Sequence, residues 1–256
     1  LYKSYSDLGS ANQDMLKSVR KNPKNMDAIQ SLAYIAKTTG VSEYHQYQKQ
    51  SVDINPSLLN NVYNYLFYFY EQSQYSAGIA EADRLIAFYQ NQPNTAGLAL
   101  ADAFKGIYLI QQGVKTEIAD CYQAALNIKP ADYDLNLVSA LNSFAAALEK
   151  TSDRKKQAVL YAKAYEIGQR VFPAPHPVMM DLLYDYAKFL INDQQIEQAQ
   201  KVCNESLQLA GKLYGEESPE TARCLTVLGT IEQFRSNYAK AVEYGQRSEK
   251  ILEKSD

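Results

Sequence analysis

The feature that most constrains the fold is an internal repeat with a period of 42 residues in the C-terminal half of the chain. Its matched pairs are His176-Pro177 with Ser218-Pro219, Ala187 with Gly229, and Ala199 with Ala241. The same interval leads back to Ala145, so three successive units share one register. A period of this length predicts an array of similar supersecondary units, each stacked on its neighbours.

Small residues stand where two antiparallel helices of one unit would cross. Ala187 and Ala199, and then Gly229 and Ala241, are spaced so that the two helix backbones of a unit can approach closely. The chain has only 11 glycines and 8 prolines and no sustained β-type alternation, which favours long helices joined by short turns. The predicted fold class is therefore all-α.

The N-terminal half repeats with a shorter and less regular period. Predicted helices run into Pro23, Pro56 and Pro130, and each ends there because proline cannot continue a helix. We therefore predict a single solenoid domain over residues 1–256, with irregular shorter repeats over 1–130 and three repeats of the 42-residue type over 131–256. About 13 helices are expected: one near 5–20, and then six pairs near 25–54, 57–92, 95–130, 133–172, 177–214 and 219–254.

The first helix of the second pair is unusually aromatic. Its rings are those of Tyr63, Tyr65, Phe67, Tyr68, Phe69 and Tyr70. They cover every side of a helix, and a helix that is apolar all round is buried on all sides. The alternative is that some of these rings form an aromatic surface for a ligand.

The end of one unit resembles a known repeat family. An aromatic residue, then Ala-Leu, then Pro four residues later (Tyr122, Ala125, Leu126, Pro130) resembles the end of a tetratricopeptide repeat. The 42-residue units, with their His-Pro and Ser-Pro steps, are similar to the longer repeats of kinesin light chains. The resemblance implies a right-handed superhelical solenoid of antiparallel helix pairs, in which the first helix of each pair lines a concave groove.

The resemblance also implies which side chains face that groove, by their register on the first helices. The implied peptide-binding residues are Gln30, Tyr34, Lys37, Asn60, Tyr63, Phe67, Tyr70, Tyr184, Lys188, Ile191, Arg223 and Gln233, with Asp27, Asp181, Thr226 and Thr230 in equivalent positions. Kinesin light chains carry a recurrent Asn on these helices where this chain has Asp185 and Val227. Their cargo-binding chemistry is therefore not transferred to this chain.

Composition and motifs disfavour several other classes of function. A net charge of -3 with scattered basic residues argues against a nucleic-acid surface, and no apolar run is long enough to span a membrane. The three cysteines are widely spaced within helical patterns and are expected to be buried thiols, so we predict no metal site. His176 is expected at a helix start, and no nucleophile motif or phosphate loop indicates catalytic residues or a cofactor.

The predicted function is a non-catalytic scaffold or adaptor that binds another protein or peptide segment in the groove. The alternative is a structural or oligomerising segment of a larger bacterial sensor, secretion or envelope protein. Terminal repeats need a polar outer face or a cap, so the C-terminal helix pair is expected to self-associate or to have lost its continuation. The chain begins with Leu1, which leaves a removed signal peptide and either a cytoplasmic or a periplasmic location open.

Overall fold

The computed structural model describes residues 5–39 and 43–254, with side chains from residue 10 onward. In this part of the chain there are 13 α-helices and no strand. The helices are α1 (Tyr5–Lys21), α2 (Met26–Thr39), α3 (Tyr44–Ile54), α4 (Leu59–Glu71), α5 (Tyr75–Tyr89), α6 (Thr95–Gln111), α7 (Ile118–Leu126), α8 (Leu135–Ala147), α9 (Arg154–Val171), α10 (Pro177–Asn192), α11 (Ile196–Tyr214), α12 (Pro219–Phe234) and α13 (Tyr238–Glu253). The predicted all-α class and helix number are confirmed.

After α1, the helices form six pairs, and the two helices of each pair pack along each other. Each second helix except α7 also packs on the first helix of the next pair, and consecutive first helices from α4 to α12 contact each other directly. The result is an α-solenoid in which the first helices α4, α6, α8, α10 and α12 lie side by side. One element is shorter than predicted: α7 ends at Leu126, and Pro130 begins a separate 3-10 turn.

The 42-residue period is visible in the backbone as well as in the sequence. The helices α8, α10 and α12 begin at Leu135, Pro177 and Pro219, one period apart. The turns between the helices of these pairs contain Ser152, Gln194 and Ser236, again one period apart, with left-handed φ angles of 57°, 61° and 60°. A recurring left-handed residue reverses the chain in the same way in each unit, so that the second helix returns along the first.

Side-chain caps define the starts of α10 and α12. Both helices have proline at the first helical position, where the missing N–H would be unpaired in any case. The Ser218 hydroxyl accepts a hydrogen bond from the backbone N–H of Thr221 at 3.2 Å. The predicted role of His176 is confirmed, since its Nδ1 accepts from the Val178 N–H at 3.2 Å and its ring stacks on Phe172.

The small residues of the repeat lie in the core between paired helices. Ala187, Ala199 and Ala241 are buried, and a Cβ added at Gly229 would come within 3.4 Å of the Ala241 carbonyl oxygen. The middle of the solenoid has the densest core, because α6 is buried almost all round. None of the described helices has the length and apolarity needed to cross a bilayer.

Candidate groove of the first helices

The first helices expose polar and aromatic side chains along one continuous face. Of the groove residues predicted from sequence, the exposed ones are Gln30, Tyr34, Lys37, Asn60, Tyr70, Lys188, Arg223 and Gln233. Tyr63, Phe67 and Tyr184 are half-buried. The four equivalent positions Asp27, Asp181, Thr226 and Thr230 also reach the surface. These residues are available to a ligand, and their use as a binding surface stays a prediction.

Ile191 departs from its predicted place. Its side chain is only 5% exposed and packs in the main hydrophobic core. It lies in the last turn of α10, between Leu190, which is also buried, and the exposed Asn192. At this end of α10 the groove face is therefore carried by Lys188 and Asn192, and Ile191 is removed from the candidate site.

The aromatic helix α4 has two distinct faces. Tyr65, Leu66 and Phe69 are buried in the core. On the other side, the rings of Tyr63 and Phe67 stack with centroids 5.7 Å apart. One face of α4 is therefore buried, as the first alternative predicts, and a ligand surface on the other face stays a prediction.

Tyr63 links three first helices. Its ring meets Phe104 of α6 edge-on at 5.4 Å, and its hydroxyl lies near the side chain of Ser139 in α8. Burial, which is the largest cause, raises the pKa of the Tyr63 phenol above its usual value. Tyr63 is therefore a structural residue of the groove floor as well as part of its surface.

A second aromatic position lies further along the groove, in α10. The Arg223 guanidinium lies over the Tyr184 ring at 4.4 Å, and Lys188 Nζ lies over the same ring at 5.3 Å. Arg223 also approaches the Asp181 carboxylate at 3.9 Å. These contacts hold a tyrosine and two cations in fixed positions at the groove surface.

One cavity in the groove is bordered in part by residues that the sequence analysis did not assign to a site. A cavity of about 270 Å³ lies between α4, α6, α8 and α10, and its walls include Phe67, Phe104, Asn142, Glu149 and Asp185. Subtracting one 42-residue period from Asp181, Tyr184, Lys188 and Ile191 gives Ser139, Asn142, Ala146 and Glu149. The 42-residue register therefore indicates groove positions in α8 as well, although the sequence-based prediction did not include that helix.

Cysteine chemistry contributes nothing to this groove. Cys121, Cys203 and Cys224 are buried free thiols, as expected from their positions in helical patterns. Burial raises the pKa of the Cys121 thiol to about 12, so it stays protonated at neutral pH. Among the described residues, no group of three or more His, Cys, Asp or Glu is arranged to hold a metal ion.

Comparison with known proteins gives the same fold. The tetratricopeptide repeat family profile matches residues 178–254. A kinesin-light-chain-like protein from Podosopora anserina with nearly identical TPR-like repeats superposes with a TM-score of 0.61 at 12% identity, covering 79% of this chain and 98% of its own. No curated protein sequence matches the chain.

Two bacterial structures extend the likeness to nearly the whole chain. BtubC (BKLC) from P. vanneervenii has a TM-score of 0.56 at 14% identity, covering 98% of this chain and 90% of its own. A tetratricopeptide repeat protein from Parabacteroides merdae has a TM-score of 0.51 at 14% identity, covering 96% and 87%. At these identities the likeness concerns the fold alone. The chain has the fold of a tetratricopeptide-repeat solenoid, similar in structure to kinesin light chain repeats, and the tetratricopeptide repeat family profile matches its residues 178–254.

Proposed function

We propose that this protein is a non-catalytic scaffold that binds an extended segment of another protein along the groove of its first helices. The observation that carries the proposal is that exposed polar and aromatic side chains recur on first helices that lie side by side, and that four of these helices border an open cavity. Solenoids of this kind present a long concave surface, and such surfaces suit extended or helical segments better than small substrates.

Two exposed side chains on different first helices are suited to test the proposal. Tyr70 and Arg223 both lie on first helices and are at least 38% exposed, so their loss should disturb the fold little. Aromatic residues and arginine are the commonest binding hot spots, and truncation of a hot spot costs about 2 kcal/mol or more. We expect Tyr70→Ala and Arg223→Ala each to weaken binding by about tenfold or more.

The measurement is the affinity of a peptide selected from a random display library on the unchanged protein. Phe88→Ala and Lys201→Ala are matched controls, because these exposed residues lie on the second helices α5 and α11. They should retain the affinity of the unchanged protein. The groove assignment is wrong if the controls weaken binding while Tyr70→Ala and Arg223→Ala do not, and a library that yields no binder contradicts the proposed function.

A second candidate function, self-association, is favoured by the outer face of α13. Tyr238, Val242, Gly245 and Leu252 are exposed on this face, with Tyr238 66% and Val242 56% exposed. Together with Glu249 they follow the 4-3-4-3 spacing of a helix–helix seam. A Cβ added at Gly245 would meet nothing within 4 Å, so no contact within the chain requires a glycine there.

The repeat register shows what this face does in the preceding unit. One period earlier, the equivalent residues of α11 are Gln200, Cys203 and Ala210. Gln200 accepts a hydrogen bond from Arg235, and both Cys203 and Ala210 contact Cys224, so this face of α11 is covered by α12 and the turn that follows it. The bare face of α13 is thus built to meet a helix, and a second copy supplies one with the same seam.

We expect the protein to form a dimer at micromolar to millimolar concentration. Val242→Glu should raise the dissociation constant of the dimer by about tenfold or more, because it buries an unpaired charge in the seam. Solution scattering and sedimentation over a concentration series measure this. Gln208→Glu adds the same charge on the exposed side of α11 and should leave the dimer unchanged. A protein that stays monomeric at all concentrations contradicts self-association.

A further inference from the structure

The cavity between α4, α6, α8 and α10 has two chemically different walls. One wall is aromatic and apolar and is formed by Phe67, Tyr70, Phe104 and Ile107. Phe67 and Tyr70 stack at 5.9 Å, so their rings form one continuous surface. The opposite wall belongs to α8 and α10 and contains hydrogen-bond acceptors. This combination suits a side chain with an apolar stem and a polar end.

The acceptors on the second wall are incompletely used. Asn142 donates from Nδ2 to Asp185 Oδ2 at 2.9 Å. This leaves Asn142 Oδ1, which is buried, without a hydrogen-bond partner. Because this oxygen has almost no accessible surface, the acceptors that the cavity itself offers are the carboxylates of Asp185 and Glu149.

Two carboxylates stand beside that oxygen. Asp185 and Glu149 both border the cavity and a second, adjoining cavity of about 350 Å³ lined by Tyr161 and Phe189. Neither carboxylate belongs to any of the ion pairs found in the described part of the chain. Burial first, and then the charges of Asp185 and Glu149, raise the pKa of the Tyr161 phenol. The two carboxylates therefore have no direct ion-pair partner, and the basic residues that share the walls of the two cavities with them are Lys150, Arg154 and Lys188.

The cations nearest to these carboxylates have other partners. Lys150 donates to Gln111 Oε1 across the groove. Arg154 donates to the Asn192 carbonyl oxygen and pairs with Asp193 at 3.6 Å. Lys188 lies over the Tyr184 ring. None of these contacts places a positive charge on Asp185 or Glu149.

We propose that this cavity binds a lysine or arginine side chain of the segment held in the groove, an inference that rests on the proposed scaffold function. The aliphatic stem lies against Phe67 and Tyr70, and the cationic end donates to Asp185 and Glu149. An acidic side chain would face two like charges, and an apolar one would leave both carboxylates unpaired. The bound segment is thus a basic one at the position that enters the cavity.

The test uses three pools of random dodecapeptides whose sixth residue is fixed as Lys, norleucine or Glu. Norleucine has a stem of similar length without the charge, so the comparison isolates the cationic end. We expect the immobilised full chain to retain the Lys pool about tenfold more strongly than the norleucine pool, and the Glu pool least. The preference should fall at high salt, because the carboxylates are partly exposed.

The variants are the double substitution Glu149→Gln with Asp185→Asn, and a control that removes the same charge elsewhere. The control is Asp120→Asn with Glu243→Gln, because both residues are exposed on the second helices α7 and α13. We expect the first double variant to lose the Lys preference while it still retains the norleucine pool, and the control to keep the preference. Thermal unfolding verifies that both are folded.

The outcomes separate this inference from the function on which it rests. Equal retention of the three pools, or a preference for Glu, overturns the basic cavity while peptide binding in the groove stands. A Lys preference that survives in Glu149→Gln with Asp185→Asn also overturns it, because the charge recognised must then lie elsewhere. Failure to retain any pool overturns the scaffold function and the inference together.

Discussion

Replacing Phe144 by alanine is expected to lower the free energy of unfolding by about 3–5 kcal/mol, the range for loss of a fully buried phenylalanine. Phe144 has no exposed surface and lies at the crossing of α6 and α8 in the most densely packed part of the core. This loss of stability has two causes, because the substitution removes the buried apolar surface of the ring and leaves a cavity in the packing around it. Urea unfolding followed by circular dichroism measures the change.

The contact with Gly106 provides an internal control for this prediction. A Cβ at Gly106 would lie 2.3 Å from Phe144 Cζ, which is far closer than two carbon atoms can approach. Gly106→Ala alone should therefore cost about 1–3 kcal/mol through overpacking. In the Phe144→Ala background the ring is gone, and the same substitution should cost little or stabilise the helix. An equal cost in both backgrounds would contradict the close crossing of α6 and α8.

The second large effect is a loss of stability with rising pH that arises from Asp102. This carboxyl lies in α6, is only 7% exposed, and burial raises its pKa to about 7, with Lys105 opposing and Asp83 adding to the shift. In the unfolded chain the pKa is about 3.9. Below that value the carboxyl is protonated in both states, so it contributes no cost. Between about pH 4 and pH 7 only the unfolded state ionises, and stability is lost progressively.

Asp102→Asn removes this titration while keeping the size of the side chain. We expect the variant to be more stable than the unchanged protein by about 1–3 kcal/mol at pH 8, with a smaller difference at pH 5, since each unit of pKa shift corresponds to about 1.4 kcal/mol. Chemical unfolding at several pH values measures the difference. Asp120→Asn, at an exposed position of α7, is the control that removes the same charge. A difference between Asp102→Asn and the unchanged protein that does not vary with pH would refute the shifted titration.

Periodicity in the sequence was sufficient for the architecture because the same physical requirement recurs in each unit. Ala187, Ala199 and Gly229 mark helix crossings where a larger side chain would separate the backbones. Proline and cap residues such as Ser218 mark helix starts, where the first backbone N–H groups have no partner within the helix. Proline has no N–H at this position, and the cap side chain accepts a hydrogen bond from one of the others. Features of this kind depend on neighbours in the chain and can be predicted from the sequence.

The candidate site was less accessible to the same reasoning because exposure depends on tertiary packing. Ile191 has the register of a groove residue, but an isoleucine at the end of α10 turns into the core. Asn142 and Glu149 border the cavity, yet nothing in their local sequence distinguishes them from other polar helical residues. Only their position one period before Tyr184 and Ile191 indicates the groove, and only the structure shows that α4 and α6 complete the cavity.

The contact between α4 and α8 has a mechanical consequence. In a regular repeat array each unit contacts only its two neighbours. Small rotations at successive interfaces then add up, so the whole array can bend. Here Tyr63 reaches past α6 to Ser139, so the units on either side of α6 are tied together. We therefore expect the middle of the solenoid to resist bending more than the array beyond α8.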